Sequence, residues 1–385
     1  MGIKLPKLEE LSPDEQLEIT NLPLDCTYVV TGGPGSGKTI LGLYRAKALI
    51  NDNSKCNIMF LVYNKTLYSY LESAIKDLGL DSNTSVSTWH SWFWNYYRSK
   101  LGSRPPQVAD YEYDWNAILK NSHKLDEAYF DHLIVDEAQD FPEPLLRILH
   151  RMSKNATVFA DDHQQIDPSL VDYSNKSKIM QITRAFDVPD KRYHLSKNYR
   201  NTSEIYNLAR LFYTGDQRDV LPKCYRSGDK PKLIRGDFAD IIDYIAIYAD
   251  NNPSEDIGVL IPAFEHSRQL VKKYYEALNK KCKETNVQFY ISNSKFGRGM
   301  KSNCDFNSNG IKIMTFLSAK GLEFDTVFIP GIDHELFEKE NRILTNQVYV
   351  SSTRARDKLI FTYEKENPGS FVYKTIIEHS NLIDF

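Results

Sequence analysis

The stretch "TGGPGSGKTI", residues 31–40, constrains the fold of this chain more than any other. It follows an apolar run of strand length, "TYVV", and precedes a helical pattern, "LGLYRAKAL". Gly32, Gly37, Lys38 and Thr39 satisfy the spacing G-x-x-x-x-G-K-[ST]. Glycines let the backbone turn its N–H groups toward phosphate oxygens, with Gly35, Ser36 and Gly37 inside the turn, and the helix N-terminus adds its partial positive charge. Lys38 is placed to reach the β- and γ-phosphates of a nucleotide, and Thr39 to ligate Mg²⁺. A strand, a tight turn and a helix in that order belong to an α/β sheet whose ligand sits beyond the carboxyl ends of its strands.

The rest of the chain agrees. Apolar runs alternate with helical patterns at "NIMFLVY" (57–63), "HLIV" (132–135) and "TVFA" (157–160). The pattern restarts at "KLIRGD" (232–237), "IGVLIP" (257–262), "IKIMTF" (311–316), "TVFIPG" (326–331) and "KLIFTYE" (358–364). Such alternation predicts βαβ units and parallel sheets. We read two α/β lobes, 1–184 and 185–385, with a polar-aromatic insertion near 93–130 that holds or borders all four tryptophans. At 385 residues and 41% hydrophobic content, the chain can fill two ordinary cores. It has no long apolar span and no apolar leader, and its five cysteines are scattered without a C-x-x-C pair. These features point to a reducing, cytoplasmic setting and away from a zinc site. The net charge of −3 gives no support of its own to nucleic-acid binding, although a local groove can carry the field.

"HLIVDEAQDF" supplies the second half of a nucleotide site. The apolar strand delivers Asp136 to its carboxyl end, where it can hold Mg²⁺. Glu137 can orient and deprotonate an attacking water.

These residues resemble superfamily 1 helicases of the UvrD/Rep/PcrA type, and the resemblance runs through nearly the whole chain in order. "LSPDEQ" is similar to the family's Q motif, which would put Gln16 near adenine. "FLVYNKTL" and "VSTWHSW" resemble motifs that face the bound strand. "VFADDHQQID" resembles motif III, with Gln164 as γ-phosphate sensor. "LSKNYRNTSEI" resembles motif IV, with Tyr199 stacking on adenine and Arg200 reaching the γ-phosphate. "TFLSAKGLEFD" resembles motif V, with Thr315 toward the strand and Glu323 toward the ribose. "YVSSTRARDKL" resembles motif VI, with Arg354 as arginine finger. The resemblance implies two RecA-like lobes, parallel sheets flanked by helices, and ATP with Mg²⁺ in the cleft between them. Arginines from one lobe acting on a nucleotide held by the other would couple closure to binding and opening to hydrolysis.

The expected strand contacts are Tyr63, Asn64, Thr88, Trp89, His90 and Thr315, combining aromatic stacking with phosphate bonds. For Trp89 and Trp92 the alternative is packing within the insertion, and for His90 a structural hydrogen bond. The lysines of "KKYYEALNKKCK" (272–283) read more readily as a solvated helix face than as a binding stripe. The chain departs from the family at motif III, where Ala160 replaces a glycine, Asp167 replaces a tyrosine, and a run of stacking residues is absent. Ile40 stands where relatives carry an arginine. The slot that holds a large subdomain in UvrD-like helicases holds only "NSKFGRGMKSNCDFNSNG" (293–310), too short to form a domain.

The reading is a compact ATPase that moves along or remodels single-stranded nucleic acid. The resemblance favours DNA, and a nuclease or another repair or phage-defence subunit is the expected partner. Two alternatives stand beside it: an ATP-controlled switch that regulates a partner without unwinding, and an RNA helicase.

Overall fold

The computed structural model describes residues 8–12, 14–63, 65–109, 112–161, 178–188, 192–214, 222–262, 266–291, 304–306, 308–334, 337, 342–366 and 368–385. The described residues form two compact units, one ending at Ser196 and the other running from Lys197 to Phe385.

The first unit contains β1 (Tyr28–Gly32), β2 (Ile58–Val62), β3 (Thr84–Thr88), β4 (Gln107–Ala109), β5 (Glu112–Tyr113), β6 (Phe130–Val135), β7 (Ser153–Ala160) and β8 (Arg192–Leu195). Six of these make one sheet in the order β3-β2-β6-β7-β1-β8. Every neighbouring pair in it is parallel. Strands β1 and β2 are buried along their whole length, as expected of strands covered on both faces. The order makes β6, β7 and β1 neighbours, so the turns leaving their carboxyl ends lie side by side. β8 joins this sheet beside β1, which carries the first unit past the division expected at 184/185.

The insertion is built on the helix Trp89–Leu101, the β4–β5 hairpin and the helix Trp115–Lys120. Trp89, Trp92, Phe93, Tyr113 and Ile118 are buried in the unit's core with Phe130 and Phe141. The insertion is therefore part of the first core.

The second unit begins with a parallel two-stranded ribbon, β9 (Lys197–Thr202) and β10 (Lys223–Arg226). β11 (Lys232–Arg235), β12 (Asp256–Ile261), β13 (Val287–Phe289), β14 (Gly310–Thr315), β15 (Phe324–Ile329) and β16 (Ala355–Tyr363) follow. They form a six-stranded sheet in the order β11-β16-β15-β12-β14-β13, again with all pairs parallel. Gly258 packs tightly at its centre: a Cβ there would lie 2.7 Å from the Phe324 ring. Among the described residues, no helix is long and apolar enough to cross a membrane.

Candidate functional site

The glycine-rich turn leaves β1 and enters the helix Lys38–Asp52. Gly35 and Gly37 hold φ of 74° and 87°, conformations that L side chains rarely adopt. Gly37 is the N-cap and offers no side-chain acceptor, so the first amides of the helix are left for an anion. Lys38 donates to the carbonyls of Gly32 at 2.7 Å and Gly33 at 3.1 Å, arching its ammonium over the turn. Ser36 Oγ donates to Gly33 O at 2.9 Å.

Thr39 Oγ1 donates to Asp136 Oδ2 at 2.5 Å, which joins the turn after β1 to the end of β6. Asp136 and Glu137 are both buried. Burial, and then the charge of Glu137, push the Asp136 carboxyl up to about 6, against Thr39 and Lys38, which pull it down. A hydroxyl and a carboxylate this close form an oxygen donor set of the kind a hard divalent cation takes. A cation there would also offset the cost of two buried carboxylates side by side.

Three residues not singled out in the sequence hold this centre together. Gln139 Nε2 donates to Glu137 Oε2, while its Oε1 accepts from Asp161 N at 3.0 Å at the end of β7. Arg45 is fully buried on the glycine-turn helix. Its guanidinium donates to the carbonyls of Thr20, Leu22 and Pro23, tying down the segment that carries Gln16. Thr31 on β1 donates to Tyr193 O at 3.0 Å and so fastens β8. For Arg45 the sequence offered a hint, a charged residue inside the apolar pattern "LGLYRAKAL".

Gln16 lies against the glycine turn. Its side-chain amide is occupied, donating to Ser36 O at 3.0 Å and accepting from Ser12 N at 2.9 Å. Here it braces the glycine turn.

In the second unit, Arg200 and Glu323 are joined to each other, Nε to Oε2, at 2.6 Å. Burial acts to raise the Glu323 pKa, but the charge and hydrogen bond of Arg200, helped by Arg356 and Arg354, bring it below its usual value. Arg354 is only 2% exposed, and its guanidinium donates to the carbonyls of Val350 at 3.1 Å and Leu322 at 3.3 Å. Asn198 and Asn201 are fully buried and connect these segments. Asn198 Nδ2 donates to Asn201 Oδ1 at 2.8 Å, and Asn201 Nδ2 donates to Thr353 O at 3.1 Å. Tyr199 lies near-parallel to Tyr225.

The expected strand contacts divide. Trp89 is corrected: at 2% exposure, packed against His90, Tyr113 and Phe141, it belongs to the core and offers no ring for a base to stack on. Its burial follows from the β4–β5 hairpin folding across it. Trp92 is buried as well. His90 stacks on Trp89 and packs near Tyr113, with ring centroids at 3.4 and 5.7 Å. Thr88 is buried at the end of β3. Tyr63 is partly buried against the same core. Thr315 Oγ1 donates to Ser318 Oγ at 3.0 Å, within the turn after β14. On the helix Ser267–Lys281, Lys272 pairs with Glu276 at 3.5 Å and Lys281 with Asp243 at 2.6 Å, as on a solvated face. Asn64, Gln164, Asp167 and, of the short loop, residues 293–303 and 307 lie outside the described residues.

Comparison with known proteins agrees with this geometry. Residues 25–219 match the Schlafen group 3 DNA/RNA helicase domain, and residues 266–366 match the UvrD-like helicase C-terminal domain. The first match spans just over half of the chain, which therefore belongs to the Schlafen group 3 DNA/RNA helicase domain family, with a UvrD-like helicase C-terminal domain match in its second half. Two curated relatives match short stretches. RecBCD enzyme subunit RecB of Chlamydia pneumoniae is 40% identical over 59 residues, 15% of this chain and 6% of that protein. Gabija protein GajB of Bacillus cereus strain VD045 is 38% identical over 68 residues, 18% of this chain and 13% of that protein. The solved C-terminal domain of a possible DNA helicase from Lactobacillus plantarum WCFS1 aligns over 48% of this chain and 97% of that one. Its identity is 17% and its TM-score 0.34, too distant to bear on the fold.

Proposed function

We propose that the chain hydrolyses ATP to ADP and phosphate and uses the cycle to move along single-stranded nucleic acid, DNA in the first instance. The observation that carries this reading is the Thr39–Asp136 hydrogen bond of 2.5 Å, which unites the glycine turn and the acidic strand end in one centre.

In the proposed mechanism the amides of Gly35, Ser36 and Gly37 bind phosphate oxygens. Lys38 exchanges the carbonyls of Gly32 and Gly33 for the β- and γ-phosphates. Thr39 and Asp136 would hold Mg²⁺, whose charge supports the transferred phosphate. Glu137 accepts the proton of the attacking water, and Gln139 fixes the carboxylate that does so. Arg200 and Arg354 are assigned to the charge that develops on the phosphate, Gln164 to sensing it, and Tyr199 and Glu323 to the base and ribose. The RecB and GajB similarities support a motor that works with a nuclease or another subunit in repair or defence.

The burial of Trp89 favours one other reading, a nucleotide-controlled switch that grips strands weakly. Steady-state hydrolysis with single-stranded DNA, duplex DNA or single-stranded RNA separates the two, with Lys38→Ala as the blank. The motor reading expects several-fold stimulation by one single strand and loss of activity in the blank. A rate indifferent to all three polymers, yet lost in Lys38→Ala, selects the switch. Stimulation by RNA alone moves the substrate to RNA.

A further inference from the structure

Arg200 lies where the two strands of the β9–β10 ribbon fall out of register. On one side Cys224 of β10 stands opposite Asn198 of β9, and on the other Arg226 stands opposite Thr202. Between those pairs β10 has only Tyr225, whereas β9 has Tyr199, Arg200 and Asn201. Such a surplus makes a bulge, which bends the strand, re-aims its side chains and leaves backbone groups without ladder partners. Those groups still need hydrogen bonds.

Side chains supply them. Asn198 Oδ1 accepts from the amides of both Arg200 and Asn201 at 3.0 Å. The carbonyl of Arg200 accepts from Nη1 of Arg226. The same nitrogen donates to the carbonyl of Arg356 at 3.3 Å, and Nη2 donates to Asp357 Oδ1. Arg356 is two residues past Arg354, on β16. One side chain of β10 therefore holds the backbone of Arg200 and that of the segment leaving Arg354. The Arg226–Asp357 ion pair is itself open to solvent, with side chains 37% and 43% exposed, and a pair of that kind contributes little to stability. Joining two carbonyls from two segments is a different task, and a guanidinium suits it because its donors are fixed in one plane.

We propose that Arg226 is a positioning residue: it sets the bulge of β9, aims Arg200 at the transferred phosphate, and ties that aim to the segment of Arg354. Arg226 needs no contact with the nucleotide for this, because it acts through the backbone of Arg200. That backbone is fixed at its N–H by Asn198 and at its carbonyl by Arg226, while the guanidinium rests on Glu323. When Arg200 exchanges Glu323 for a phosphate, only its side chain has to turn, and a group so placed loses little freedom in reaching the reacting centre. The inference rests on the ATPase reading and on the role assigned there to Arg200.

The test is steady-state ATP hydrolysis by the full chain with dT20 present, with a urea melt to confirm that each variant is folded. Arg226→Gln should lower kcat by roughly 10- to 100-fold, the order expected for a misplacement of about 1 Å at a reacting centre. Arg226→Lys should fall with it, because an ammonium is a point charge without the planar fork. If Arg226→Gln melts early, Arg226→Lys carries the test. The discriminating readout is a double mutant: Arg226→Gln added to Arg200→Ala should lower kcat no further, because the group it aims is gone. An arginine that served the fold alone would lower kcat alike in both backgrounds. If the folded Arg226 variants turn over within about twofold of wild type, or the double mutant loses about tenfold more than Arg200→Ala, the positioning role is wrong while the ATPase reading stands. If Arg200→Ala turns over like wild type, the assignment of Arg200 falls and this inference with it. If the wild-type chain hydrolyses no ATP, the ATPase reading falls as well.

Discussion

In the first unit the groups that seek an anion are backbone amides, set by glycines at φ 74° and 87° and by a helix N-terminus without a side-chain cap. In the second unit the groups proposed for that task are side chains, Arg200 and Arg354, each already bonded inside its own unit to Glu323 or to the carbonyls of Val350 and Leu322. The difference is one of cost. Backbone amides held in a turn need little rearrangement to receive phosphate. A guanidinium bonded to protein must give up those bonds first, so its role is the more readily switched on and off.

The largest expected effect breaks the comparison at Arg354. Lysine keeps the charge but loses the planar fork that reaches two acceptors at once. If Arg354 acts on the transferred phosphate, Arg354→Lys should lower kcat by roughly 10³-fold. A single-turnover rate within tenfold of wild type would return Arg354 to a purely structural role.

Gly37→Ala probes the backbone side of the comparison. A side chain at φ 87° costs roughly 1–2 kcal/mol. The new Cβ would also lie 2.6 Å from Gln16 Nε2. Gly79→Ala is the control, because Gly79 has φ of 68° with nothing within 4 Å of the added Cβ. Urea melts should show Gly37→Ala to be the less stable of the two, and it alone should lose affinity for a fluorescent ATP analogue. Equal losses in both would mean that the Gln16 brace is immaterial to the turn.

The smallest effect concerns the Arg200–Glu323 pair. Its side chains are 16% and 23% exposed, and the pair is expected to contribute about 1 kcal/mol. The folded-state pKa of Glu323 is lowered, so its contribution is present above the ordinary glutamate value of 4.5 and lost as pH falls through the lowered one. Wild type and Glu323→Gln should therefore differ in denaturation midpoint at pH 7 and converge in acid. A gap independent of pH would mean that the pair's charge contributes nothing.

Lys38, Thr39, Asp136 and Glu137 were legible because their placement is local. An apolar strand followed at once by a tight turn or an acidic pair puts those side chains at the carboxyl edge of a sheet, whatever the rest of the chain does. Trp89 misled because a tryptophan at a strand end looks the same whether it faces a ligand or a core. The β4–β5 hairpin decided, by covering it. For Gln16, nothing within its own segment reveals that its amide meets the carbonyl of Ser36.

The sequence by itself determined the alternation that makes two parallel sheets and the residues of the phosphate turn, since both follow from periodicity and backbone freedom over a few residues. Only the tertiary structure decided how Asn201 reaches the carbonyl of Thr353, how Gln139 links Glu137 to the end of β7, and how Arg226 joins the carbonyls of Arg200 and Arg356. The physical reason is that a buried carbonyl or carboxylate must be hydrogen-bonded, and the partner that does so comes from whichever segment the fold brings near, not from its neighbours in the chain.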